Sequence, residues 1–181
     1  GDPAAFNLFA IAVGAASLVL VVIYPLMKRV TYWPQAFLGI TFNWGALLGW
    51  AAVTGGLGLP ALLMYAAGFF WTMGYDTIYA HQDKRDDALL GLKSTALKLG
   101  RHSPKWVAGF YILAWTGIAA AGLVAGLGPV FGLLMLPAGA QLAWQVAGWN
   151  MDDGPDCLRR FKSNRNFGLL VLAAVLVAVL V

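Results

Sequence analysis

The stretch Tyr75 to Gly100 reads YDTIYAHQDKRDDALLGLKSTALKLG and lies between long apolar runs. It carries Asp76, Asp83, Asp86 and Asp87, half of the eight acidic residues in the chain. If the helix that carries Phe69, Phe70 and Trp71 continues through it, Asp76, Tyr79, Asp83 and Asp87 fall within a sector of about 80°. One helix face then presents three carboxylates and a phenol. Like charges in an apolar setting repel, and they are tolerated where cations neutralise them. Asp83 and Asp87, one turn apart, are spaced to share a hard cation such as Mg²⁺, which takes one or two carboxylates and completes its shell with substrate phosphate. Within a membrane, the phosphate substrate most in need of an apolar chamber is an isoprenoid diphosphate. The metal, helped by Lys or Arg, would stabilise the charge that develops as the allylic C–O bond breaks. A solvated loop accounts equally well for Asp86. It fits Asp76 badly, because Asp76 follows the uncharged run Leu57 to Tyr75.

The elements that must position these groups are membrane helices. Of the 181 residues 60% are hydrophobic and 11% charged, outside the balance of a soluble domain. Eight Trp and 22 Gly suit interfacial belts and close helix approach. The net charge of +4 does not indicate a nucleic-acid partner, because all twelve Lys and Arg fall in Lys28 and Arg29, Lys84 to Lys105, and Arg159 to Arg165. These are alternate connections between apolar runs, and by the positive-inside rule they face the cytoplasm. The fold class expected is all-α, a multi-pass bundle of about six spans near 5–27, 35–53, 57–80, 106–125, 130–149 and 166–181. No repeat or linker divides it, so residues 1–181 read as one domain. Tyr32 and Trp33 read as an interfacial anchor, and Leu89 to Lys105 as a short amphipathic helix on the membrane surface. Asn43 either bonds a neighbouring helix or faces a cavity. Asp152, Asp153 and Asp156 could form a second acidic motif, but Gly154 and Pro155 interrupt their helical spacing. Cys157 reads as a structural thiol, and neither His81 nor His102 has a zinc partner at ligand spacing.

The pattern Asp76-x-x-Tyr79-Ala80-x-x-Asp83-x-x-x-Asp87, followed by Gly91-Leu92-Lys93-Ser94-Thr95, closely resembles the second Asp-rich motif of the UbiA-type intramembrane prenyltransferases. The hydroxybenzoate-prenylating branch is the most similar. Tyr24-Pro25-Leu26-Met27-Lys28-Arg29-x-Thr31-x-x-Pro34-Gln35 matches a second family segment, and Cys157 to Gly168 resembles the family's last loop. The resemblance implies a nine-span bundle around a lipid-open cavity, with Mg²⁺-dependent transfer of a polyprenyl group from polyprenyl diphosphate to the ring of 4-hydroxybenzoate, a step in ubiquinone synthesis. Carried over by position, Asp83 and Asp87 would hold the metal and its diphosphate, and Asp76 and Tyr79 would support the chemistry. Lys28, Arg29, Tyr24, Asn43 and Lys93 would contact the substrates.

The family also has an earlier motif of the form NDxxDxxxD, which this sequence lacks. The expectation is a chain that starts at the family's fourth span, covers the C-terminal two-thirds of the domain, and is inactive or nearly so alone. Relatives that prenylate other aromatic acceptors, a transporter using Asp76 as an ion site, and a non-catalytic scaffold are the competing readings. A transporter would need mid-membrane polar residues, for which Asn43, Gln141 and Gln145 are the candidates. The expected location is a bacterial inner membrane, with the active site facing the cytoplasm.

Overall fold

The computed structural model describes residues 8–23 and 26–181. Twelve α-helices and no strand are found among them: α1 Leu8–Ile23, α2 Met27–Val30, α3 Pro34–Phe42, α4 Trp44–Thr54, α5 Leu59–Gln82, α6 Lys84–Leu89, α7 Thr95–Leu99, α8 Ser103–Val124, α9 Gly128–Leu134, α10 Leu136–Val146, α11 Gly154–Lys162 and α12 Asn164–Leu180. Each described proline, Pro34, Pro60, Pro104, Pro129, Pro137 and Pro155, lies in the first turn of a helix. There its missing N–H costs nothing and its fixed φ favours the start. The sequence thus punctuates its own apolar runs.

The expected spans correspond to α1, α3 with α4, α5, α8, α9 with α10, and α12. By length and composition, 34–54, 95–124, 128–146 and 154–180 are apolar enough to cross a membrane. Two spans are interrupted where continuous helix was expected. Asn43 separates α3 from α4, its backbone N–H bonding the Thr41 carbonyl, and Met135 separates α9 from α10.

The bundle centres on α5, which packs along α8 and also meets α3, α4, α7 and α11. Gly74 lets α5 and α8 approach, since a Cβ there would collide with the ring of Tyr111. Gly74→Ala is therefore expected to lower stability by about 1–3 kcal/mol, read as an earlier unfolding midpoint in detergent. The apolar core, including Ile78, Val107, Phe131, Met135 and Phe167, joins α5 and α8 to α9, α10 and α12.

A buried polar network ties the last helices together. The Tyr111 hydroxyl donates to Gln145 Oε1. Gln145 Nε2 donates to Asn164 Oδ1 at 3.0 Å, which also accepts the Trp71 indole N–H at 2.8 Å. Arg160 lies on α11, buried; its Nε donates to Asp156 Oδ2 at 2.7 Å. Its remaining N–H groups reach the carbonyls of Trp144, Gln145, Ala147 and Gly148. Those carbonyls sit at or just beyond the end of α10, where a helix leaves its last acceptors without partners. Gln141 and Gln145, the polar residues a transporter would require, are thus engaged by Ser163 and Asn164. Cys157 is buried and accepts the Trp149 indole N–H, as a structural thiol would.

The second acidic group does not assemble, in keeping with the interruption at Gly154 and Pro155. α11 starts at Gly154, so Asp153 stands outside it as the N-cap while Asp156 lies inside and meets Arg159 and Arg160 at helical spacing. Asp152 instead pairs with Lys84 at 2.9 Å. The surface-helix expectation is corrected. Leu89 to Lys105 is not one amphipathic helix, since a 3₁₀ turn at Gly100–His102 separates α7 from the start of α8. α7 is capped by Ser94, whose Oγ accepts the Leu97 N–H. Its Thr95 and Ala96 are fully buried and it packs against α5, while Leu89 belongs to α6 and is exposed.

Candidate active site

The three charged connections converge at one end of the bundle. The Lys93 N–H donates to the Lys28 carbonyl at 2.9 Å, and the Leu92 N–H to the Asp87 carbonyl at 2.8 Å. Lys84 joins Asp152 across the same end. Backbone hydrogen bonds therefore hold α2 against the segment that follows α6.

One helix face was expected to carry Asp76, Tyr79, Asp83 and Asp87, and this is corrected. α5 ends at Gln82, and Asp83 stands at the junction with φ −99° and ψ 3°, so Asp87 begins on a separate helix, α6. The Asp87 N–H still bonds the Asp83 carbonyl at 2.9 Å, which keeps the two acids one turn apart. Tyr79 does not join the acids through its ring: it packs on Phe161 of α11 with centroids 4.7 Å apart. Tyr75 meets the same ring.

Lys28 is the cation that the acids share. Its Nζ lies 3.9 Å from Asp87 Oδ1, and its charge also acts on Asp76. Asp87 is 5% exposed, and its Oδ2 has no hydrogen-bond partner among the described residues. Burial raises the Asp87 carboxyl above its ordinary value; Lys28 opposes this, and Asp83 and Asp86 add to it. A buried carboxylate oxygen left open beside other acids is a donor suited to a hard cation. Mg²⁺ needs only one or two carboxylates when phosphate oxygens and water complete its shell, so Asp83 and Asp87 fit it without a third protein acid. Among the described residues no group of three or more His, Cys, Asp or Glu is assembled for a metal.

Sequence reasoning gave no role to Gln35, although it lies within the segment that carries the resemblance. Gln35 is 2% exposed at the start of α3. Its Oε1 accepts the Thr95 N–H at 3.2 Å, and its side chain acts on the neighbouring Asp76 carboxylate. The Thr77 and Thr95 hydroxyls bond each other at 2.8 Å, fastening α5 to α7 beside it. A polar amide directly after a helix-starting Pro34, at the head of an apolar run, was the available signal.

The other candidates are dispersed. Arg29 is exposed and makes no ion pair among the described residues. Lys93 Nζ donates to the Val30 carbonyl at 3.1 Å and lies over the Tyr32 ring. Tyr24 lies outside the described residues. Asn43 does both things its position allowed: its Nδ2 donates to Gly39 O and to Thr72 Oγ1, and it lines a cavity of about 230 Å³ with Gly68, Trp71, Ile118 and Phe167. Gly68 and Trp71 precede Asp76 on α5 by roughly 8 to 12 Å of helix axis. An apolar chamber therefore lies on the membrane side of the acids.

The model of the UbiA prenyltransferase family matches residues 4–170. The chain belongs to that family. Of the relatives matched by this UbiA chain, the 4-hydroxybenzoate polyprenyltransferase, mitochondrial, of Caenorhabditis elegans is 47% identical over 175 residues, 96% of this chain and 49% of the relative. The protein of the same name from Bos taurus is 48% identical over 170 residues, 93% of this chain and 46% of the relative. The UbiA chain thus spans about half the length of the curated relatives it matches. In fold it is similar to the apo structure of a UbiA homologue from Aeropyrum pernix K1, with a TM-score of 0.71 at 23% identity, covering 98% of this chain and 66% of that one. The expected bacterial inner membrane and cytoplasm-facing site are corrected by these relatives, whose names place them in mitochondria. Charge asymmetry orders the loops by side of a membrane and carries no information about which membrane it is.

Proposed function

We propose that this UbiA chain contributes the second acidic half of an Mg²⁺-dependent prenyltransferase that joins a polyprenyl group to the ring of 4-hydroxybenzoate, a step in ubiquinone synthesis. The observation that carries the reading is the buried Asp87 carboxylate, one oxygen near Lys28 and the other without a partner among the described residues, with an apolar chamber on the membrane side. The names of relatives at 47–48% identity support the acceptor and the donor.

Asp83 and Asp87 would hold the metal. When bound, it neutralises the diphosphate and stabilises the charge that develops on this leaving group. Lys28 balances the acids before substrate arrives and offers its ammonium to the diphosphate or to the benzoate carboxylate. Gln35 fixes the direction of Asp76, because its own orientation is locked by the Thr95 N–H. The chamber lined by Asn43, Trp71 and Phe167 takes the first apolar part of the prenyl chain and excludes water from the allylic carbon. With the acceptor held over that carbon, proximity supplies much of the acceleration.

Acceptor choice tests this reading against related activities. Membranes containing the chain, together with the part of the C. elegans relative that the match leaves uncovered, are supplied with a polyprenyl diphosphate and Mg²⁺. Prenylated 4-hydroxybenzoate is expected to form at least tenfold faster than product from homogentisate or dihydroxynaphthoate, a discrimination of about 1.4 kcal/mol. Preference for either alternative acceptor would replace the assignment.

A further inference from the structure

Tyr32, Trp33, α7 and the first turns of α8 form a corner of the molecule that the proposed chemistry leaves unused. The rings of Trp33 and Trp106 meet edge to face with centroids 6.3 Å apart. Lys98 Nζ sits 5.8 Å from the centre of the neighbouring Tyr32 ring. Lys98, Arg101 and Lys105 are exposed and make no ion pair among the described residues, unlike Lys28, Lys84, Arg159 and Arg160. Beneath Lys105 a slot of about 220 Å³ runs down α8, lined by Lys105, Trp106, Gly109, Phe110 and Leu113. Its floor is Gly109, where an added Cβ would meet nothing within 4 Å. The slot is therefore cationic at its mouth and apolar along its length.

We propose that this corner binds one anionic phospholipid, with its phosphate held by Lys98 and Lys105 and one acyl chain lying in the slot over Gly109. Charge and polarity select this occupant. Unpaired ammonium groups at a membrane interface attract anionic headgroups, and Trp33 and Trp106 place that interface at the level of the slot's mouth. A neutral lipid would leave the cations without a counter-charge, and a free phosphate would leave the slot unfilled. Gly109 leaves room in the slot that a side chain as large as Leu would take up.

The test is lipid retention by the chain reconstituted in vesicles of equal parts phosphatidylglycerol and phosphatidylcholine, extracted gently and weighed by native mass spectrometry. The chain is expected to carry one phosphatidylglycerol in preference to phosphatidylcholine, and excess inorganic phosphate is expected to leave it bound. Lys98→Gln with Lys105→Gln should reduce retention about tenfold or more. Gly109→Leu keeps every charge, improves helix propensity and fills the slot, and should also lose the lipid; circular dichroism confirms that both variants are folded. Equal retention of the two lipids, displacement by phosphate, or undiminished binding to Gly109→Leu would each overturn the site. The last result would reduce it to general attraction between surface charges.

Discussion

Asp87→Asn is expected to lower Mg²⁺-dependent prenyl transfer by about a thousandfold while leaving the fold as stable as before, or slightly more so. The two effects separate because the carboxylate does little for folding. It is buried, and among the described residues one oxygen lacks a partner and the nearest cation is 3.9 Å away. Burial raises its pKa, with Lys28 opposing and Asp83 and Asp86 adding to the rise. The native state therefore holds the proton more tightly than the unfolded chain does, and ionisation removes stability as pH climbs above the ordinary value near 3.8. Asn keeps the shape and removes the charge. Initial rates across a Mg²⁺ titration, paired with unfolding midpoints, check both halves. Asp86→Asn serves as the control, since Asp86 is exposed on the same helix and should change neither quantity much. Equal loss of activity and stability in Asp87→Asn would make Asp87 a structural residue.

Arg160→Met is expected to behave in the opposite way, costing about 3–5 kcal/mol of stability without touching the acidic site. It leaves the buried Asp156 carboxylate with only the exposed Arg159 and the Asn150 N–H, and uncovers the carbonyls of Trp144, Gln145, Ala147 and Gly148 at once. Arg160→Lys should rescue little, because an ammonium has three donors and lacks the planar fork that reaches both the acid and the helix end. Combining Arg160→Met with Asp156→Leu should recover part of the loss, as removal of both charges leaves no buried ion. Acid behaviour gives a second reading. Burial pushes the Asp156 carboxyl up, but hydrogen bonds from Arg159, Arg160 and the Asn150 N–H outweigh it and hold the group at about 2. With the folded value below the unfolded one, its contribution is complete above the ordinary pKa and is lost as pH falls toward 2. The Arg160→Met variant should lose part of that dependence, with Arg159 and the Asn150 N–H keeping the rest.

Much of this was legible because membrane helices announce themselves by long apolar runs, and the charged connections alternate with uncharged ones. Span positions and the all-α class follow from that pattern, and two short motifs pick out Asp87 and Lys28, whose contact at 3.9 Å only the fold shows. The local breaks were not legible. A straight 3.6-residue wheel carried Asp83 and Asp87 onto the face of Asp76, whereas the chain leaves α-helical geometry at Asp83, which no Gly or Pro marks. Asn43 interrupts its span in the same unmarked way. Tyr79 looked like a partner of the acids because it shares their sector, but Phe161, some eighty residues later, offers it a ring to pack on. Such a contact depends on how α11 is placed against α5, and helical periodicity says nothing about that. Gly154 and Pro155 do separate Asp152 and Asp153 from Asp156, because α11 begins there; the Arg160 partner of Asp156 has no signal beyond its i+4 spacing. At Gln35 the amide after Pro34 marks a polar residue at the head of an apolar run, but its partner Thr95 is sixty residues away and follows only from how α7 packs.

The most direct test of the central claim is product formation from a labelled polyprenyl diphosphate and 4-hydroxybenzoate in membranes. The chain is assayed alone and with the uncovered part of the C. elegans relative, in Mg²⁺ and after chelation. Prenylated hydroxybenzoate that requires Mg²⁺, and that Asp87→Asn abolishes, is the expected result. Product that persists after chelation, or at full rate in Asp87→Asn, would contradict the assignment of Asp83 and Asp87 to the metal.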